Sequence, residues 1–338
     1  MRHETFLRDV AIGAGVVVLL ALLQQVITDP GIHDLIIKTC IFGLFALSLN
    51  LLVGYLGLVA FGHATGFATG AYVFGLLMQT GQWAIPAAMG VAIVAAAALA
   101  AVIGAFCIRA REIYFAFLTL AFQMILYSAI ISFVSLTGGD QGLMGGYPKP
   151  PFLGIDLSQP LDYYLFVCGV TVACIVLVRQ IVQSPFGYAL RMIRDNHERA
   201  YFLGIRVKLY QWIAFVVASA LAAVSGVMMS LFVSGAFPNF AYWSMSAEPL
   251  FMILLGGMQT FLGPVLGALM LQVLNDLVTE HTRYYGLVLG LVILFFILGL
   301  RRGLLDVVWD RISDRRRKSR PVRPASPVTG DAEARERP

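Results

Sequence analysis

The sequence predicts an all-α, polytopic transmembrane helical bundle, and three observations carry that prediction. Hydrophobic residues make up 59% of the 338 positions and charged residues 13%, where a soluble domain is nearer half and a quarter. The apolar residues are gathered into runs that reach the roughly 20 residues a helix needs to span hydrocarbon. Those runs are continuous rather than alternating, which excludes a transmembrane barrel.

The elements follow in order. The run 10–27 has a basic flank, Arg2 and Arg8, and no small-x-small cleavage site; Gln24, Gln25 and Asp29 lead directly on. It reads as an uncleaved first helix. Further spans are expected over 36–53, 84–107, 115–136, 163–178, 210–233 and 284–300. Two more stretches, 58–79 and 248–280, are apolar but interrupted by Gly and polar residues. The four cysteines, Cys40, Cys107, Cys168 and Cys174, lie in or beside apolar runs without a CxxC pair and read as buried thiols.

Basic residues give the spans a direction. Of 24 Lys and Arg, all but Lys38, Lys149 and Arg283 fall in four places: before the first run, at Arg109 and Arg111, over Arg179–Lys208, and from Arg301 onward. Cytoplasmic loops collect such residues, so these regions and both termini are expected on the cytoplasmic side. The pI of 9.1 is then a matter of topology, and no folded basic domain supports nucleic-acid binding. With both termini inside, the number of crossings is even. After the span 210–233 the loop Ser234–Ser246 is expected outside, so 248–280 must go in and return before the last run. The break is visible in GGMQT, 256–260, and Gly263-Pro264. Irregular backbone at membrane depth needs protein or water around it, so this segment is expected to face the bundle interior. Eight crossings plus a re-entrant hairpin, or ten spans, satisfy the parity. Residues 1–304 form the membrane domain. Residues 305–338 are a basic tail expected to be disordered, whose Arg315–Lys318 run either touches anionic lipid or serves as a topology signal.

The inside loop SPFGYALRMIRDNHERAYFLGIRV, 184–207, is too long for a connector and has helical chemistry. Ser184 and Pro185 make an N-cap and N1 pair, and Gly204 suits a C-cap. Leu190, Ile193, His197, Ala200 and Gly204 recur at spacings of three and four; Arg191, Arg194, Asp195 and Glu198 form a second stripe. An amphipathic helix pair of this kind either docks into a groove of a partner protein or rests on lipid.

Residues ERAYFLG, 198–204, resemble the E-A-A-x-x-x-G loop of ABC importer permeases, with Arg199 at its second position. The flanking SPFGYALRMIRDN is similar to the branched-chain amino-acid permease family, M-type subunit. Other blocks agree in order: SLNLLVGYLG at 48–57, AFGHA at 60–64, IYFAFLTLA at 113–121, TGGDQGL at 137–143 and GGMQTFLGPVLG at 256–267. The resemblance covers roughly 35–305. It implies an ABC importer permease fold in which two membrane subunits form the pathway, here with an H-type partner or a copy of itself. Two cytoplasmic ATPase subunits would supply the energy and a periplasmic binding protein the substrate, in a bacterial inner membrane. Arg194, Glu198, Ala200 and Gly204 would then lie in the ATPase-coupling helix.

The chain offers no phosphate loop of its own. Its lysines, Lys38, Lys149, Lys208 and Lys318, follow Ile37, Pro148, Val207 and Arg317, whereas a P-loop needs Gly before Lys. No catalytic or metal-ligating cluster is expected and no cofactor, ATP being used by the partner subunits. Polar residues in or at the ends of the spans are candidates for the substrate path: Asn50, His63, Gln123 and Glu248, joined by Asp140 on the outside loop, where it could meet the binding protein or gate entry. The bland readings stand beside them: His63 bonding a neighbouring helix, Glu248 capping the hairpin, Asp140 serving a turn. Branched-chain or related amino acids are the expected cargo, with urea, short amides or another small solute as alternatives. An ion-coupled secondary transporter would show paired carboxylates at mid-membrane, which the spans lack.

Overall fold

The computed structural model describes residues 2–26, 29–110, 112–144, 146–149 and 157–281, with positions 287, 288, 290, 291 and 294 beyond them. Most of the expected last span and the whole basic tail lie outside the described residues. In chain order the helices are α1 (Arg2–Val26), α2 (Pro30–Asn50), α3 (Ala64–Gln79), α4 (Ile85–Cys107) and α5 (Glu112–Ser132). A single turn, α6 (Val134–Thr137), precedes α7 (Pro160–Gln183), α8 (Pro185–Asp195), α9 (His197–Phe202), α10 (Val207–Val233), α11 (Trp243–Gly256) and α12 (Gly263–His281). A π-helical segment, Leu51–Leu56, continues α2. Among the described residues the one β pairing is an isolated antiparallel bridge between Leu143 and Ala236. Five helical stretches there are long and apolar enough to cross a membrane: Pro30–Leu56, Ile85–Cys107, Ile113–Ser132, Pro160–Gln183 and Val207–Val233.

The helices start where local chemistry tells them to. Asp29 accepts from Gly31 N at 2.9 Å with Pro30 in the first turn, and prolines likewise open α4 and α7. α2 is the central helix: every residue from Ile41 to Leu52 is buried, as expected of a helix apolar all round. α4 shows a one-sided pattern instead, burying Ala88, Ala92, Ala96 and Ala100 while Val94, Val102 and Phe106 face outward to where lipid would lie.

Small residues let the backbones touch. A Cβ on Gly66 or Gly70 of α3 would run into the carbonyls of Ser219 or Ala223 on α10, and one on Gly226 of α10 into Phe67 of α3. Without a hydrophobic force between helices in lipid, such close approach is what holds a bundle together. α1 lies along α7, with Gly13 against Val172 and Val176, Tyr164 Oη donating to Leu20 O at 3.3 Å, and Arg179 paired with the buried Asp9 at 3.0 Å.

The 248–280 segment is broken at Gly257–Leu262, where the sequence places the break, and its arms pack on each other through Gly256, Gly263 and Gly267. The turn reaches deep. Gly54, at the end of α2, sits against Met258 O; Gly43 meets Val265; and Lys38 pairs with Asp276 at 3.5 Å. α12 therefore runs antiparallel to α2 along most of its length.

One expectation is overturned. The segment Ser234–Ser246 is not an outside loop throughout: Ala236 and Ala241 have no exposed surface and Ser246 is buried. Its second half descends into the bundle, through the turn Pro238–Ala241, to the start of α11. The apolar run of α10 ends at Val233, and nothing in SGAFPNFAYWS distinguishes a surface loop from a chain whose carbonyls are satisfied by a neighbouring helix.

Candidate functional site

The loop 184–207 folds into two short helices held by side-chain caps. Ser184 Oγ accepts from Gly187 N at 3.4 Å. α8 stops because Asn196 is extended (φ −160°, ψ 105°), and its Oδ1 accepts from Arg199 N at 2.8 Å to start α9. Gly204, at φ +84°, closes α9 in the left-handed conformation that glycine adopts without strain. The break at Asn196 divides the expected stripe. Leu190, Ile193 and Ala200 are buried, whereas His197 and Gly204 are exposed, because residues 190–204 are not one continuous helix.

The sequence-derived coupling residues thus separate. Glu198 is exposed. Ala200 packs inward, 1% exposed. A Cβ on Gly204 would meet nothing within 4 Å. Arg194 turns back to its own chain, donating to Gly54 O and, at 3.4 Å, to Asp195 Oδ1. Its neighbour Arg191 donates to Val182 O at 2.8 Å and lies over the rings of Tyr55 and Tyr188. What the loop offers outward is an apolar, largely aromatic tip: Tyr201, Phe202 and Leu203, of which Phe202 is 84% exposed.

A buried polar network lies in the bundle core, where α3 and α11 begin. Three consecutive residues at the start of α3 are tied to three different elements. Gly62 N donates to Thr119 Oγ1 of α5 at 3.2 Å, His63 Nε2 lies 2.8 Å from Ser48 Oγ of α2, and Ala64 N donates to Ser246 Oγ of α11 at 2.9 Å. Ser48 gives its proton to Phe45 O at 2.7 Å. His63 is therefore the donor through Nε2, leaving Nδ1 a bare acceptor with no partner among the described residues; its ring stacks on Phe45. Gln123 joins the start of α11. Its Nε2 donates to Ala241 O at 3.1 Å and Tyr242 O at 2.8 Å, and its Oε1 accepts from Ser246 Oγ at 2.7 Å. These bonds satisfy irregular backbone that has no water to turn to.

The remaining candidates lie apart from this network. Asn50 is fully buried, and neither atom of its carboxamide has a partner among the described residues. Asp140 is exposed in the turn Gly139–Gln141, between Gly138, Gly139 and Gly142, all at positive φ. That loop is fastened to the descending segment by Leu143 N to Ala236 O at 2.8 Å. Glu248 is not a cap: it and Pro249 fall inside α11, whose N-cap position is Tyr242. Ser48, Thr119 and Ser246 went unremarked in the sequence, where isolated hydroxyls in apolar runs give no signal. Among the described residues no group of His, Cys, Asp and Glu is arranged to hold a metal.

The family model described as "Branched-chain amino acid transport system / permease component" matches residues 31–298. The chain belongs to that family. The high-affinity branched-chain amino acid transport permease LivM of Escherichia coli is 26% identical over 311 residues, covering 85% of this chain and 73% of LivM. The Salmonella typhimurium protein of the same name is 27% identical, covering 86% and 74%. A probable LivM of Methanocaldococcus jannaschii is 26% identical, covering 72% and 81%. No solved structure is a significant match. The chain is a multi-pass membrane permease of the ABC-importer type.

Proposed function

We propose that this permease imports branched-chain or closely related amino acids across a bacterial inner membrane, with both termini cytoplasmic. It forms half of the pathway with an H-type subunit or a second copy of itself, receives substrate from a periplasmic binding protein, and is driven by ATP hydrolysis on two separate cytoplasmic ATPase subunits. The observation that carries the reading is the loop 184–207. Its inner face, Leu190, Ile193 and Ala200, is fixed in the bundle, while its aromatic tip, Tyr201, Phe202 and Leu203, stands exposed beside Glu198 and Arg199. A rigidly mounted apolar tip with a charged flank suits a protein groove. Helix pairs that only rest on lipid have no need of two side-chain caps and a buried inner face. For the polar core, we propose that His63 Nδ1 and the Asn50 carboxamide face the substrate path when it is open, whereas Gln123 serves the backbone. Asp140 and Glu248 are proposed as contacts at the path's outer and inner stretches.

The test is uptake into proteoliposomes holding the complete transporter and its binding protein, with ATP inside. ATP-dependent accumulation of labelled leucine, isoleucine or valine is expected. Uptake of urea or a short amide in preference would keep the machine and change the cargo; uptake without any ATPase subunit would overturn the reading.

A further inference from the structure

We propose that Arg194 is a positioning residue for energy coupling, tying helix α8 to the π-helical end of α2 so that displacement of α8 reaches the hairpin turn at Met258 through Gly54. The inference rests on the ATP-driven reading above. A helix end leaves its last carbonyls without intrahelical partners. At the end of α2 the next amides are already committed, since Gly57 N and Leu58 N both go to Leu52 O. Gly54 O is left over, and the Arg194 guanidinium takes it. A cation at a helix C-terminus is also favoured by the helix dipole.

The contact is continuous on both sides of the π segment. On one side, a Cβ on Gly57 (φ +76°) would come within 2.8 Å of Arg194 Cγ, and Arg191 lies over Tyr55 with 5.6 Å between its guanidinium carbon and the ring centre. On the other, a Cβ on Gly54 would overlap the Asn50 carboxamide and come within 2.8 Å of Met258 O. Cytoplasmic helix, π segment and hairpin turn are therefore stacked without slack, and π segments inside α-helices are frequent at functional sites. Asn50 supplies a reason for a second arrangement. Its carboxamide is buried without a partner among the described residues, while the Met258 carbonyl abuts the same glycine. A shift of the hairpin toward Asn50 would bring the Met258 carbonyl within reach of the Asn50 amide. Arg194 thus acts within its own chain, and the exposed tip of α9 is left to meet the partner.

The experiment measures solute moved per ATP hydrolysed in the complete reconstituted transporter. For Arg194→Gln this ratio is expected to fall about tenfold, within the usual range of coupling between sites, while ATPase subunits still co-purify with the permease. Arg194→Lys should recover part of the ratio, because an ammonium can still donate to Gly54 O. Gly54→Ala, which leaves α8 untouched, should lower the ratio in the same way. Should transport and hydrolysis fall in proportion, with ATPase subunits lost from the complex, Arg194 is a docking contact and the proposal fails. An unchanged ratio in Arg194→Gln also overturns it. ATP-independent uptake by the unaltered protein would instead defeat the underlying reading.

Discussion

Replacing Gln123 by Leu should destabilise the bundle far more than an ordinary polar-to-apolar change in a membrane helix. The side chain has no exposed surface. It gives both amide protons to the Ala241 and Tyr242 carbonyls and takes one from Ser246. Leu fills similar volume but strands the Ala241 carbonyl and the Ser246 hydroxyl proton, and leaves Tyr242 O with Met245 N alone. Hydrogen bonds between membrane helices average about 0.6 kcal/mol and reach about 1.7, whereas stranding a buried group costs about 1–3 kcal/mol. Three lost bonds then amount to about 2–5 kcal/mol by these scales. Gln123→Glu should be at least as damaging when ionised, because a carboxylate cannot donate to either carbonyl. Ser246→Ala keeps both carbonyl bonds but loses those to Gln123 Oε1 and from Ala64 N, and should cost about 1–3 kcal/mol. Reversible unfolding in mixed detergent micelles reads all three variants, and a double-mutant cycle isolates the Gln123–Ser246 pair. A loss below about 0.5 kcal/mol for Gln123→Leu, under the mean for one membrane hydrogen bond, would refute the claim that this residue holds the descending segment in place.

Other consequences follow from single contacts. Gly70→Ala puts a methyl group into the Ala223 carbonyl and should cost about 1–3 kcal/mol, the range for overpacking, read by thermal unfolding. Asp9→Asn removes the carboxylate that pairs with Arg179 and accepts from Gln180 Nε2 at 3.2 Å; with Arg179 partly solvated the loss should be about 1–2 kcal/mol, below that for a fully buried pair. Gly204→Leu clashes with nothing in its own chain but must hold φ +84°, at about 1–2 kcal/mol; membrane insertion should be normal and co-purification of the ATPase subunits reduced, so full co-purification with normal transport would contradict the assignment. Ser184→Ala should weaken the start of α8 by about 1 kcal/mol, visible as faster hydrogen exchange at the Gly187 amide.

The legible parts of the fold were those set by local composition. Long apolar runs show themselves, and so do glycine clusters: the break at 256–260 was visible because Gly-Gly followed by polar residues suits no continuous helix. The cap pair Ser184-Pro185 was readable for the same reason, its chemistry being confined to neighbouring residues. What the sequence hid was set by partners distant along the chain. SGAFPNFAYWS reads as a loop, and partners far along the chain, the Gln123 carboxamide and the Leu143 backbone, hold it inside the bundle. The stripe through residues 190–204 assumed one helix, and a single extended residue, Asn196, divided it and pointed Ala200 inward. The resemblance puts Arg194 in the ATPase-coupling helix, and its bond within its own chain is hidden because the acceptor, the Gly54 carbonyl, is a backbone atom at a π-helical segment, which no residue pattern announces.

The central claim is that energy enters this chain through the exposed tip of the loop 184–207. The most direct measurement places a single cysteine at Phe202 in a background lacking Cys40, Cys107, Cys168 and Cys174, and cross-links it in the assembled transporter. The account predicts a cross-link to an ATPase subunit that forms in good yield and arrests ATP-driven uptake. A label at the same position that reports lipid contact, gives no cross-link and leaves uptake unchanged would contradict it.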